Sequence, residues 1–89
     1  MNILEYADIL NLQIVIRYYP NQKKRFCVSF ENVEVKGDGV LIGQHGNGPS
    51  PKEAVDEYVR SIQGKIIVVN AYKNGRLEYE VPKDLVGLP

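Results

Sequence analysis

His45 is the only histidine in the chain and Cys27 the only cysteine, and these two limit the chemistry the sequence can carry. An imidazole can act as a general base near neutral pH. It needs a nucleophile or a carboxylate brought to it, and no spacing here supplies one. Cys27 lies in an alternating stretch on the face opposite Phe26 and Val28, where a thiol is ordinarily packing filler or a half-exposed group. One histidine and one cysteine allow neither a zinc-type spacing nor an internal disulfide. No pair of carboxylates stands out for acid–base work. The sequence therefore predicts no catalytic residue, no metal, no cofactor and no enzymatic activity.

Binding chemistry has two candidate sources. The first is the glycine loop Gly43-Gln44-His45-Gly46-Asn47-Gly48, which runs through Pro49 into Ser50-Pro51-Lys52-Glu53. Ser50 is a good N-cap, Pro51 suits the first helical position, and Glu53 completes a capping box. Free N–H groups at a helix start attract anions, but the spacing matches neither the P-loop nor the dinucleotide fingerprint. Gly43, His45, Gly46, Gly48 and Ser50 are read first as a tight strand-to-helix connection with glycines at positive φ, and second as an anion site. The other source is basic: Lys23, Lys24 and Arg25 in tandem, with Arg17 on the adjoining strand. They can touch phosphates or protect an edge as a solvated turn. Tyr19, pointing outward beside Arg17, suits contact with a partner protein. Eleven basic and eleven acidic residues cancel, which counts against a general nucleic-acid binder.

These residues need elements to hold them. Eighty-nine residues make one domain, 1–89, with a small core. Asn2 and Glu5 suggest a capped short helix within residues 1–10, a stretch that also suits a strand lead-in. Leu10, Leu12, Ile14, Ile16 and Tyr18 then alternate as the inner face of a strand. A turn over Pro20 to Lys24 leads to a second strand with Phe26, Val28 and Phe30 inward. The phase slips at Glu31-Asn32, as a β-bulge would make it, before Val33 and Val35. Lys36-Gly37-Asp38-Gly39 closes a hairpin onto Val40-Leu41-Ile42. A helix from Pro51 to about Gln63 carries one apolar stripe, Ala54, Val55, Tyr58, Val59 and Ile62, and ends at Gly64. Asn74-Gly75 predicts a type I′ hairpin pairing Tyr72 with Leu77, Asn70 with Tyr79 and Val68 with Val81. Tyr18, Tyr58, Tyr72 and Tyr79 are expected in the core, and residues 83–89 as a loose tail. The fold class is α+β: an antiparallel sheet in the order (short α)-β-β-β-α-β-β, with one main helix on one face.

Phe26, Val28, Ser29 and Phe30, followed by Gly46, Gly48, Ser50, Glu53 and Ala54, resemble the N-terminal domain of HicB-type antitoxins. The resemblance covers about Leu12 to Val69 and implies a partly degraded ribonuclease H fold of three strands, a helix and a further strand. A weaker resemblance, through Gly48, Ser50, Lys52 and Ala54, is to double-stranded RNA-binding domains. There Glu53, Asp56 and Glu57 would face an RNA backbone unfavourably. The expected role is a small non-enzymatic binding module of HicB-like fold that engages a protein partner, with self-association because short strands leave open edges. The alternative is RNA or DNA binding through Arg17, Lys23, Lys24 and Arg25. Glu5 and Asp8 do not suit a signal peptide, and no apolar run approaches the ~20 residues of a bilayer span. A cytoplasmic protein with no membrane partner is expected.

Overall fold

The computed structural model describes residues 1–89. In chain order the elements are α1 (Ile3–Leu10), β1 (Ile14–Tyr18), β2 (Phe26–Phe30), β3 (Val33–Gly37), β4 (Val40–Ile42), β5 (Gly46–Gly48), α2 (Pro51–Ile62), β6 (Ile66–Val69) and β7 (Leu77–Glu80). The fold is α+β, with a short helix, strands, a main helix and strands in the expected order. The strands divide into two antiparallel sheets, β1-β2-β5 and β4-β3-β6-β7, where the sequence suggested one.

The division falls at the phase slip. No bulge forms at Glu31-Asn32; the chain turns there, with Asn32 at φ 57°, and passes from one sheet to the other. Val28 and Phe30 bury in the first sheet, Val33 and Val35 in the second, so the parity changes because the sheet changes. Asp38 and Gly39, both at positive φ, make the two-residue turn between β3 and β4.

Both helices start as their caps dictate. At α1 the reciprocal box is complete, with Glu5 N–H on Asn2 Oδ1 at 2.9 Å and Asn2 N–H on Glu5 Oε1 at 3.0 Å. This helix takes up Leu10, so β1 begins only at Ile14. At α2 only half of the expected box forms: the Glu53 N–H donates to Ser50 Oγ at 3.3 Å, but the Glu53 carboxylate accepts the Ser50 hydroxyl at 3.1 Å rather than the Ser50 backbone N–H. All five stripe residues of α2 are buried. Gly64 follows at φ 68°.

The last hairpin departs from the expected register. Val69 pairs with Leu77, Val68 with Glu78 and Ile67 with Tyr79, and the connection runs from Asn70 to Arg76. Ile66 to Val69 is apolar at every position, so alternation could not choose a face. The choice is made by β3, where Val33 meets Val69 and Val35 meets Ile67. Tyr72, expected inside, is 80% exposed, and Tyr18 is 56% exposed; Tyr58 is buried, and Tyr79 packs partly buried against the core. Val68 turns to the opposite face from Ile67. There Lys36 reaches Glu78 at 3.2 Å and Arg76 also bonds Glu78, two interactions that hold the Glu78 carboxyl below its ordinary range.

The end of the chain is not loose. Leu85 is fully buried, Val86 forms a parallel bridge with Asn2, Ile3 N–H donates to the Val86 carbonyl at 2.9 Å, and Gln63 Nε2 donates to the Leu85 carbonyl at 2.7 Å. Residues 85 and 86 thus tie α1 to the end of α2.

The buried centre of the core is Tyr58. Its ring meets Phe30 edge-on at 5.5 Å, and its hydroxyl accepts the Phe30 N–H at 3.1 Å, where β5 has already ended and offers no carbonyl. Burial pushes the Tyr58 hydroxyl up to about 12, against a slight lowering by the Phe30 bond. The unfolded group ionises near 10.0. Stability is therefore whole below about pH 10 and falls as pH rises toward 12, by roughly 3 kcal/mol at ~1.36 kcal/mol per unit. Tyr58→Phe should cost about 1–3 kcal/mol at neutral pH, because the Phe30 N–H is left unpaired. It should also flatten the alkaline loss, leaving the part due to Tyr6, which burial likewise raises. Urea midpoints at neutral and alkaline pH check both; an unchanged alkaline slope would show that another group is responsible.

Candidate functional site

The glycine loop is built differently from the expectation. Gly43, Gly46 and Gly48 are not at positive φ. Gly46-Asn47-Gly48 is strand β5, and Gly46 and Gly48 are there because β5 lies against the backbone of α2. A Cβ on Gly46 would run into the Ala54 carbonyl and the Tyr58 N–H, and one on Gly48 would meet Ala54 N at 2.6 Å. An anion at this helix start would compete with the Ser50 and Glu53 side chains, which already engage each other and the Glu53 N–H.

His45 lies between β4 and β5, on a polar cleft of about 350 Å³. Arg17, Ser29, Glu31, Glu34 and Gln44 line it as well. The cleft brings together Arg17 from the basic group and His45 from the glycine loop, which are far apart in sequence. Nothing in the sequence sets Glu31 and Glu34 apart, and only the turn at Asn32 gives them a common neighbourhood. No set of three His, Cys, Asp or Glu side chains converges to hold a metal ion. Cys27 is half-buried, between Arg17 on β1 and Asn47 on β5.

The basic group does not converge. Lys23, Lys24 and Arg25 are exposed in the β1–β2 connection, with Lys24 Nζ 3.8 Å from Glu57, while Arg17 lies on the cleft side of β1. Tyr19 is 42% exposed beside them.

β1 is an outer strand whose far edge carries no other strand. Glu31 N–H donates to the Gln13 carbonyl at 2.8 Å and Tyr19 N–H to the Arg25 carbonyl at 2.6 Å. Hydrogen-bonded pairs alternate along an antiparallel ladder, so Gln13, Val15, Arg17 and Tyr19 turn their backbones toward β2. The N–H and C=O groups of Ile14, Ile16 and Tyr18 therefore point away from β2, where no strand follows. Their side chains share a face with Phe26, Val28 and Phe30. Helix α2 covers that face over β5 and β2, leaving Ile16 50% and Tyr18 56% exposed. The Tyr18 and Phe26 rings lie 5.1 Å apart and tilted by 38°, so the exposed tyrosine packs against its cross-strand neighbour.

The remaining edges are occupied, short or charged. At β5 the outward Asn47 N–H is occupied by Glu57 Oε1 at 3.2 Å. The β4 edge has three residues, and β7 carries Glu78 and Glu80. No helix is long and apolar enough to cross a membrane. No family model, curated protein or solved structure matches the chain.

Proposed function

We propose that this chain is a non-enzymatic protein-interaction module that offers the edge of β1 to an extended segment of a partner, which adds to the β1-β2-β5 sheet as a further strand. The observation that carries this reading is the row of outward backbone groups at Ile14, Ile16 and Tyr18, flanked by half-exposed apolar side chains. Main-chain pairing supplies affinity in such a mode, and the Ile16 and Tyr18 side chains supply selectivity. The HicB-like kinship stays part of this reading: β1, β2, β5 and α2 give three antiparallel strands with a helix on one face, while the strand after the helix, β6, joins the other sheet.

Peptides selected from a random phage-displayed library provide the test. Those that bind should protect the amides of Ile16 and Tyr18 from hydrogen exchange. Ile16→Pro removes an outward N–H that makes no bond within β1-β2, and proline is tolerated at strand edges. It should weaken binding by about tenfold or more. Peptides that bind without protecting β1 would count against the edge.

A second reading, nucleic-acid binding, is favoured by one observation: Lys23 and Arg25 are exposed with no carboxylate within ion-pair distance. It predicts retention on RNA or DNA with a log–log salt slope near −3, as for roughly three or four phosphates. Lys23→Glu with Lys24→Glu should abolish that retention. No retention at low salt removes this reading.

A further inference from the structure

We infer that the segment occupying the β1 edge is β1 of a second copy of this chain, paired antiparallel about a two-fold axis through Ile16. The inference rests on the edge-binding reading and names its partner.

The strand is complementary to itself in that register. Ile16 faces Ile16 of the second copy, Ile14 faces Tyr18, and Val15 faces Arg17. Because the outward groups are those of Ile14, Ile16 and Tyr18, each outward N–H meets an outward carbonyl of the other copy. Arg17, the only charge in Ile14–Tyr18, lies opposite a valine and not opposite its own mate, so no like charges are set face to face. The chain has no net charge to oppose association. Self-pairing of β7 about Tyr79 would instead set Glu78 against Glu80. β5 cannot pair without displacing Glu57 from Asn47.

The side chains agree with the backbone. A two-fold axis perpendicular to the sheet keeps both copies of α2 on the same face of a continuous β5-β2-β1-β1-β2-β5 sheet. The two helices then flank a trough floored by Ile16 and Tyr18 from each copy, the residues that α2 leaves exposed in one chain, with the partly buried Ile14 at its margin. Such an interface is isologous and closed, so pairing stops at two.

Light scattering over a concentration series should give a species of twice 10.1 kDa. Ile16→Pro should return it to the monomer mass, with an unchanged circular dichroism spectrum confirming that it folds. A second test does not depend on that variant. In a Cys27→Ser background, Ile16→Cys should cross-link to itself on oxidation, since directly paired Cα atoms lie about 5.5 Å apart, within disulfide reach. Val15→Cys alone should not cross-link, whereas Val15→Cys mixed with Arg17→Cys should. A monomer at every concentration, or a dimer indifferent to Ile16→Pro with self-linking Val15→Cys, overturns the inference. If the monomer still binds selected peptides with protection of the Ile16 amide, only the identity of the partner is wrong. If peptides also fail to protect β1, the edge reading falls with it.

Discussion

Gly46→Ala should leave the protein largely unable to hold its fold at physiological temperature. The added methyl group is directed into the Ala54 carbonyl and the Tyr58 N–H, and it would sit 2.6 Å from Tyr58 Cβ. These are atoms of a helix backbone and cannot rotate aside, so β5 and α2 must separate. Separation loosens Ala54, Val55, Tyr58, Val59 and Ile62 together. Overpacking typically costs about 1–3 kcal/mol where side chains can adjust, and here the cost should exceed ~3 kcal/mol. A domain of this size holds about 4–13 kcal/mol in total. The melting temperature should fall by more than about 12 °C, at ~4–8 °C per kcal/mol. Gly43→Ala is the control: its Cβ would meet only His45 Cε1, at 3.9 Å, and should change the melting temperature little. Equal behaviour of the two variants would mean that β5 does not lie on α2 as described.

Leu85→Ala should destabilise the protein by about 2–5 kcal/mol, the range for a buried leucine whose site cannot collapse. Leu85 has no exposed surface, and its carbonyl accepts from Gln63 while the next residue pairs with the N-terminus of α1. Deleting residues 85–89 should cost at least as much, because the Val86 bridge to Asn2 and Ile3 goes too. Denaturant melts of the two variants, compared with the neighbouring Val86→Ala (Val86 is 56% exposed), measure this. A loss below ~0.5 kcal/mol for Leu85→Ala would restore the loose tail that the composition suggests. The glycine and proline near this end mark an irregular backbone, and irregular backbone can still be packed when one side chain finds a hole.

Local signals translated directly into structure where the cause was itself local. Asn2 with Glu5 and Ser50 with Glu53 capped the helices they announced, and the stripe from Ala54 to Ile62 buried as its spacing required. Asp38-Gly39 turned where a two-residue loop must turn. Where the cause was a distant partner, the local pattern was silent or pointed elsewhere. Asn74-Gly75 is a strong turn signal, yet the pairing of Val33 and Val35 with Val69 and Ile67 set the register of that hairpin. The glycines of β5 looked like turn residues, since a sequence does not show that a helix backbone passes beside them. Tyr18 alternated like a core residue but lies where α2 does not reach.

Local sequence carries the α+β class, α2 with its buried face, the parity of β2 and the β3–β4 turn, because caps, periodicity and tight turns involve residues within a few positions of one another. For residues 1–10 it leaves a helix and a strand lead-in both open, and the buried face of α1 is set by packing. The fold alone decides that the strands form two sheets, that Leu85 closes the core, that Arg17 and His45 share a cleft, and that the outer edge of β1 presents uncharged, apolar positions at Ile14, Ile16 and Tyr18. Each of those depends on which strand or helix lies alongside, and that is settled by packing between segments far apart in the chain.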